Sequence, residues 1–156
     1  MGRLYWFDTP AGVYRAEACV ITCFDARFEL MARKFLQRRG VSPADHVRVA
    51  GGAKALSSPR TPAEREFLLD QVRASIRLHA TGRVVLMAHS DCGACGGLEA
   101  FDGDAAREAA WHRAELAKAA EAIRGALPGL AIEQYFLDFT GVWEIPEVEY
   151  VSANRG

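Results

Sequence analysis

Short apolar runs alternate along this chain with longer segments of helical periodicity. Residues 18–22 are such a run, which ends at Cys23 and predicts a buried strand. After it, apolar residues recur at i, i+3, i+4, i+7 and i+8 on one stripe of a helix: Phe28, Met31, Ala32, Phe35 and Leu36. Gly40 stands where a left-handed helix C-terminus is expected. We therefore expect this stripe to face a sheet.

Four further runs predict strands, at residues 45–50, 83–88, 131–139 and 142–151. The last two flank the turn signal Thr140-Gly141. Because strands alternate with helices over most of the chain, the pattern predicts an α/β domain with a mostly parallel central sheet flanked by helices. We expect an antiparallel strand or strands at the C-terminal end.

Three more helices are predicted between these strands. A polar loop at residues 57–60 precedes the first, which begins with the capping box formed by Thr61, Pro62 and Glu64 and extends to about residue 82. The second is expected over about 93–102 and the third, rich in alanine, over about 104–125.

The chain has 156 residues and is 50% hydrophobic, which predicts one domain over residues 1–156. Its 19 basic and 20 acidic side chains leave a net charge of -1, so charge gives no reason to expect nucleic acid or an anionic membrane as partner. A small-molecule substrate fits this balance. No membrane span or signal peptide is predicted, which favours the cytoplasm. Four cysteines in a reducing compartment favour metal binding or catalysis over a disulfide scaffold.

Three polar or glycine-rich segments follow predicted strands directly. Cys23 follows the first, Gly51 and Gly52 the second, and His89 the third, so all should meet at the edge where open parallel sheets bind ligands. His89 and Cys92 are about one turn apart, and Cys23 arrives from a neighbouring strand. Two cysteines and one histidine are the ligands of a zinc site that keeps a fourth position for water or substrate.

The other two cysteines offer an alternative. Cys19 and Cys95 could complete a four-thiolate site or form a redox pair with their neighbours. However, Cys19 and Cys23 would lie about 13 Å apart on an extended run, too far to ligate one ion. We therefore predict that Cys19 belongs to the core and that Cys95 has a packing role near the site.

Charged residues lie beside the predicted ligands. Asp25 and Arg27 could form an ordinary surface pair, but next to a metal the carboxylate would ligate it or accept a proton, and the guanidinium would hold the carboxylate ionised. We interpret Asp91 as a helix N-cap. His79 and His112 have no partner motif and are expected to be structural.

Two motifs resemble the signature of the β-class carbonic anhydrases, Cys-x-Asp-x-Arg followed by His-x-x-Cys-Gly. They are Cys23-Phe24-Asp25-Ala26-Arg27 and His89-Ser90-Asp91-Cys92-Gly93. The segment Val47-Arg48-Val49-Ala50-Gly51-Gly52 looks like the Arg-Asn-Ala-Gly segment of that family, and residues 137–142 look like its late strand pair. The resemblance covers about residues 17–146.

This resemblance implies a β-carbonic-anhydrase-like fold and reversible hydration of carbon dioxide to bicarbonate by zinc-bound hydroxide. It implies that Cys23, His89 and Cys92 hold one Zn²⁺, and that Asp25 and Arg27 form the catalytic dyad. Gly51 and Gly52 are expected at the substrate, and the chain is expected to form a homodimer or higher homo-oligomer.

Two departures from the family keep alternatives open. Val49 stands where the family usually has Asn, and Leu4-Tyr5-Trp6-Phe7 stands in the region of its N-terminal helical arm. The same scaffold could hydrolyse carbonyl sulfide or carbon disulfide, or the chain could be a non-catalytic zinc-binding homologue.

Overall fold

The computed structural model describes residues 2–146. Within that range one sheet contains five strands: β1 (Cys19–Cys23), β2 (Asp45–Val49), β3 (Arg83–His89), β4 (Ala131–Leu137) and β5 (Val142–Glu144). The α-helices that accompany it are α1 (Glu29–Arg38), α2 (Lys54–Ser57), α3 (Pro62–His79) and α4 (Ala105–Ala126). Strands β1 to β4 pair in parallel and β5 pairs antiparallel with β4. The predicted fold class is confirmed.

The strand order β2-β1-β3-β4-β5 places the crossover of the chain between β1 and β3. From β1 the chain moves outward to β2, and then returns past β1 to form β3. In open parallel sheets such a switch of direction opens a crevice beyond the carboxyl ends of the two strands. Cys23 and His89 are the last residues of these strands.

Alternate residues of the strands enter two separate cores, one on each face of the sheet. On one face Cys19 and Ile21 of β1 pack with apolar residues of α2, α3 and α4. On the other face Val20 packs against the stripe of α1, including Ala32 and Leu36. Helices thus cover both faces, as a parallel sheet requires.

The observed elements differ from the predicted ones in three places. Helix α2 has only four residues, too few to show a period, and was not predicted. The helix expected at 93–102 is instead a pair of 3₁₀ turns, Gly93–Cys95 and Leu98–Phe101, because Gly96 and Gly97 adopt positive φ between them. The strand expected at 142–151 is shorter: β5 ends at Glu144, residues 145–146 are not in a strand, and residues 147–151 lie outside the described range.

Within residues 2–146, no helix combines the length and the apolar character needed to cross a bilayer.

Candidate metal centre

Three predicted ligands lie together beyond the carboxyl ends of β1 and β3. Cys23 and His89 end these neighbouring strands, and Cys92 follows three residues later in a tight turn. Their ligand atoms all lie within 4.8 Å of one another, and the two sulfurs are 4.0 Å apart. All three residues are buried. This donor set matches the three protein ligands of an open zinc site.

His89 presents one free nitrogen to the two thiols. Its Nδ1 donates a hydrogen bond to the Ser90 carbonyl oxygen, 2.8 Å away, which places the ring proton on Nδ1. Its Nε2 is buried and has no hydrogen-bond partner among the described residues. Because a buried polar atom without a partner is costly, this nitrogen fits a metal ligand.

The Cys23 thiol is held by its neighbours before any metal binds. Its contact with Cys92, followed by burial, raises its pKa to about 11, although backbone N–H groups of Asp25 and Gly51 hydrogen-bond to the sulfur. Cys23 is therefore protonated at neutral pH in the absence of metal. A bound ion would displace this proton and would receive a thiolate whose orientation the backbone has already fixed.

Asp25 and Arg27 form a close pair beside these ligands. Arg27 Nε lies 3.0 and 3.1 Å from the two Asp25 carboxylate oxygens, and Arg27 Nη2 lies 2.7 Å from Oδ2. Hydrogen bonds from Arg27 lower the pKa of Asp25 to about 2. The Oδ2 atom lies 4.0 Å from His89 Nε2. An ionised carboxylate therefore stands next to the candidate metal ligands.

Arg27 has a second acidic partner, Asp91. Arg27 Nη1 lies 2.9 Å from Asp91 Oδ2, and Arg27 Nη2 lies 2.9 Å from the Asp91 carbonyl oxygen. Asp91 is not the helix N-cap that the sequence predicted. Its Oδ1 accepts a hydrogen bond from the N–H of Leu98, which begins a 3₁₀ turn, but its Oδ2 binds Arg27. Asp91 itself adopts the left-handed conformation, with φ 51°.

Gly51 and Gly52 support the site from behind. A Cβ at Gly52, where φ is +55°, would lie 2.8 Å from the Cys23 backbone nitrogen and 2.9 Å from the Thr22 carbonyl carbon. Such a contact is impossible without moving β1, so only glycine fits here. Gly51 supplies the N–H that reaches the Cys23 sulfur. Among the described residues, neither glycine is part of the wall of the adjoining cavity.

A cavity of about 300 Å³ opens in front of Cys23, Asp25 and His89. Its wall combines apolar and polar side chains: Thr22, Phe28, Glu29, Ala32, Arg33, Leu36, His46, Arg48, Ala88 and Leu137. Val49 lies on the opposite face of β2, against the core under α3, and borders a separate hollow with Phe67. The family's Asn position is therefore not directed into this cavity.

The remaining cysteines have the placement predicted for them. Cys19 is fully buried in the core, and Cys95 is partly buried beside Cys92.

Two buried polar residues of α4 lie behind the site, and sequence reasoning missed one of them. Glu108 is 1% exposed and its Oε1 accepts a hydrogen bond from the Asp91 N–H over 2.7 Å. His112 Nε2 lies 3.8 Å from the same oxygen, and burial lowers the pKa of His112 to about 4. Both residues lie on the helical stripe of Leu116, at i-8 and i-4. Glu108 is a carboxylate on the side of the helix that Leu116 marks as buried, and this position was the signal in the sequence that could have identified it.

Comparisons with known proteins agree with this arrangement. Residues 14–149 match the family model described as "Putative carbonic anhydrase". A search of curated proteins gave no match.

Several solved structures share the fold. A tetrameric β-carbonic anhydrase from Sordaria macrospora aligns with a TM-score of 0.59 at 17% identity, over 86% of this chain and 82% of the other. Carbonic anhydrase from Streptococcus mutans aligns with a TM-score of 0.59 at 16% identity, over 90% and 88%. A carbon disulfide hydrolase aligns with a TM-score of 0.53 at 15% identity, over 88% and 83%.

At these identities the structural likeness establishes the fold, while the family model extends over most of the chain. Together they confirm the resemblance drawn from the two motifs. The chain belongs to the β-carbonic anhydrase family.

Proposed function

We propose that this protein catalyses the zinc-dependent reversible hydration of carbon dioxide to bicarbonate. One observation carries the proposal: a buried Cys-His-Cys trio with an unpartnered histidine nitrogen lies next to an arginine-held carboxylate, at the head of a cavity. This combination provides three metal ligands, an open side and a hydrogen-bond acceptor.

In this proposal Cys23, His89 and Cys92 hold one Zn²⁺. When bound, zinc would supply a Lewis acid that makes water a better nucleophile, but the two thiolates would neutralise its charge and leave that water less acidic than in a site of three histidines. The Ser90 carbonyl keeps the His89 proton on Nδ1 and so keeps Nε2 available as a ligand. Gly51 and Gly52 act through the backbone. The N–H of Gly51 donates to the Cys23 sulfur, and the absence of a side chain at Gly52 lets the backbone after β2 lie close to β1.

Asp25 is proposed to orient the reacting water. Its carboxylate, with a pKa of about 2, stays ionised across the physiological range and accepts hydrogen bonds. As an ionised acceptor beside the open side of the three ligands, it would orient the water or accept its proton. Arg27 restrains Asp25 through three side-chain hydrogen bonds and one from its backbone N–H. The apolar part of the cavity wall suits a small uncharged substrate such as carbon dioxide.

The proposal is tested by metal analysis and a stopped-flow carbon dioxide hydration assay on the same purified sample. We expect about one zinc per chain and turnover that disappears when a chelator removes the metal. Zinc at full occupancy without any hydration would overturn the enzymatic proposal and would favour a non-catalytic zinc-binding homologue.

A second candidate is hydrolysis of carbonyl sulfide or carbon disulfide. These molecules are also linear and uncharged, the cavity wall is partly apolar, and a carbon disulfide hydrolase shares the fold. Release of hydrogen sulfide, measured for both compounds beside the carbon dioxide assay, separates the two functions. Sulfide release that exceeds hydration in kcat/KM would replace the first proposal with the second.

We also propose that the protein acts in the cytoplasm as a homodimer or higher homo-oligomer. The exposed apolar segment Leu4, Tyr5, Trp6 and Phe7 supports self-association, because such side chains are costly in water. A related fold is described as tetrameric. Light scattering after gel filtration tests the oligomer, and a monomer at micromolar concentration would contradict it.

A further inference from the structure

Every polar atom of Asp91 is bound within the protein. The N–H donates to Glu108 Oε1 (2.7 Å), the carbonyl oxygen accepts from Arg27 Nη2 (2.9 Å), Oδ1 accepts from the Leu98 N–H (3.1 Å), and Oδ2 accepts from Arg27 Nη1 (2.9 Å). Glu108 is itself buried in α4. Asp91 therefore connects α4 to Arg27 and is held in place by hydrogen bonds on both sides.

Arg27 divides its donors between two aspartates. Nε and Nη2 bind Asp25, whereas Nη1 and Nη2 bind Asp91. Asp25 and Arg27 both lie in the segment between β1 and α1, whereas Asp91 comes from the loop after β3. The direction of the Arg27 guanidinium is thus set by a residue 64 positions away in the sequence.

The position of Asp25 depends on that direction. Its Oδ2 lies 2.7 Å from Arg27 Nη2 and 4.0 Å from His89 Nε2, so the carboxylate stands between the arginine and the three ligands. A carboxylate with two competing positions populates each according to its free energy. Any residue that fixes Arg27 therefore favours the arginine-paired position of Asp25.

We propose that Asp91 is a positioning residue that keeps Asp25 paired with Arg27 and away from the open side of the metal ligands. This inference rests on the proposed metal site, and it adds a second acidic residue, Asp91, to the Asp25–Arg27 dyad. The contact between Arg27 and Asp91 is about half exposed, and exposed ion pairs contribute little to stability. Its effect is therefore on orientation.

The test uses cobalt(II)-loaded protein and thiocyanate, an anion that competes for the open metal position and changes the visible absorption of cobalt. Asp91→Asn is the main variant, because Asn tolerates the left-handed backbone and can still accept from the Leu98 N–H. The single amide oxygen of Asn can replace only one of the two carboxylate oxygens and carries no full charge, so the contact with Arg27 Nη1 is lost or weakened. We expect thiocyanate binding about 5-fold weaker than in wild type, since Asp25 then competes more often.

The same substitution is repeated in an Asp25→Ala background. Loss of one negative charge would by itself strengthen anion binding in either background. Weaker binding that requires Asp25 is therefore the signature of positioning. Asp70→Ala is the matched control, because it removes an exposed carboxylate from Arg73 Nη1 on α3 at a similar distance of 2.7 Å. We expect no change in thiocyanate affinity from this control.

The possible outcomes separate this inference from the proposed function. Equal effects of Asp91→Asn in both backgrounds, or no effect, overturn positioning. An effect that depends on Asp25 in a protein without carbon dioxide hydration upholds positioning and overturns the proposed reaction. A chain that takes up no cobalt overturns both. If Asp91→Asn loses metal, the crystal structure of zinc-loaded Asp91→Ala decides, and an Asp25 that is still paired with Arg27 in that structure overturns the inference.

Discussion

The two ends of the parallel sheet each hold an aspartate close to a histidine, but the surroundings of the two carboxylates differ. At the amino end, Asp45 of β2 accepts hydrogen bonds from Tyr14 Oη (2.7 Å), Ser75 Oγ (2.6 Å) and His79 Nδ1 (2.8 Å). At the carboxyl end, Asp25 is bound by Arg27 on one side and borders the cavity on the other.

The two ends differ in whether a polar atom is left without a hydrogen-bond partner. Asp45, Ser75 and His79 are residue types that also occur in hydrolytic triads, yet serine and histidine both donate to the same carboxylate and neither activates the other. At the other end the His89 Nε2 atom is buried without a partner among the described residues. Residue type alone does not identify a reactive site. A well-positioned polar atom without a hydrogen-bond partner does.

The largest expected effect is that of Cys92→Ser on metal binding. The serine hydroxyl is a poor zinc ligand, so we expect zinc affinity to fall by more than about 100-fold, beyond the usual cost of changing a residue outside the ligand set. Zinc content after dialysis measures this. Cys19→Ala, at the closed end of the sheet, should retain about one zinc per chain. Unchanged zinc content in Cys92→Ser would remove Cys92 from the ligands.

Asp25→Asn should reduce turnover more than it reduces metal binding. The amide cannot accept hydrogen bonds as an ionised carboxylate does, so we expect kcat for carbon dioxide hydration to fall about 100-fold with zinc retained. Stopped-flow assays with metal analysis measure both. The same substitution at Asp45 should leave kcat per folded chain unchanged. Zinc loss in Asp25→Asn would instead indicate that Asp25 is itself a ligand.

Asp45→Asn should reverse this result and reduce stability. Hydrogen bonds to a charged group contribute more than neutral ones, and we expect the free energy of unfolding to fall by about 2 kcal/mol. Urea denaturation monitored by fluorescence measures the change. Asp70→Ala, in an exposed pair, is the control and should change stability little.

The cost of Asp45→Asn should depend on pH. Burial opposes ionisation of Asp45, but the hydrogen bonds from Ser75, His79 and Tyr14 prevail and lower its pKa below the ordinary 3.8. A lowered pKa means that the carboxylate stabilises the fold fully above pH 3.8 and loses that effect as the pH falls through its folded value. The difference between wild type and variant should therefore be larger above pH 3.8 than in stronger acid, where it shrinks. A difference that grows below pH 4 would contradict this assignment.

The smallest effect is expected for Val49→Asn, which restores the residue usual in the family. Val49 is partly buried and packs against the core under α3, so an amide at this position should cost about 1 kcal/mol of stability and should not raise turnover. Val47→Asn, on the same face of β2, is the matched control. A several-fold rise in kcat/KM for Val49→Asn alone would show that this position reaches the substrate.

Much of the architecture could be predicted because periodicity is local. The stripe of α1, the apolar runs of β1 and β3 and the long α4 all follow from residues close in sequence. The capping box of α3 was only partly correct: Thr61 occupies the N-cap without a side-chain hydrogen bond, and Glu64 Oε2 accepts from the Arg60 N–H.

The candidate ligands could also be predicted, because the ends of adjacent parallel strands meet at one edge. The partners of Asp91 could not. Its bonds to Arg27, Leu98 and Glu108 depend on a left-handed backbone at Asp91 and on the arrival of α4 beside the loop. Neither the sequence spacing nor a residue's propensity encodes a contact of this kind, because it is produced by tertiary packing.

The missing side chain at Gly52 limits how this scaffold can be redesigned. Behind Cys23 the backbone of residue 52 is so close to β1 that even one methyl group has no room. A protein engineer who wants a larger cavity must therefore work from the α1 side, where Ala32 and Leu36 form part of the wall. Substitutions of Ala32 or Leu36 would change the shape of the cavity, whereas any residue with a Cβ at position 52 would displace β1 behind Cys23.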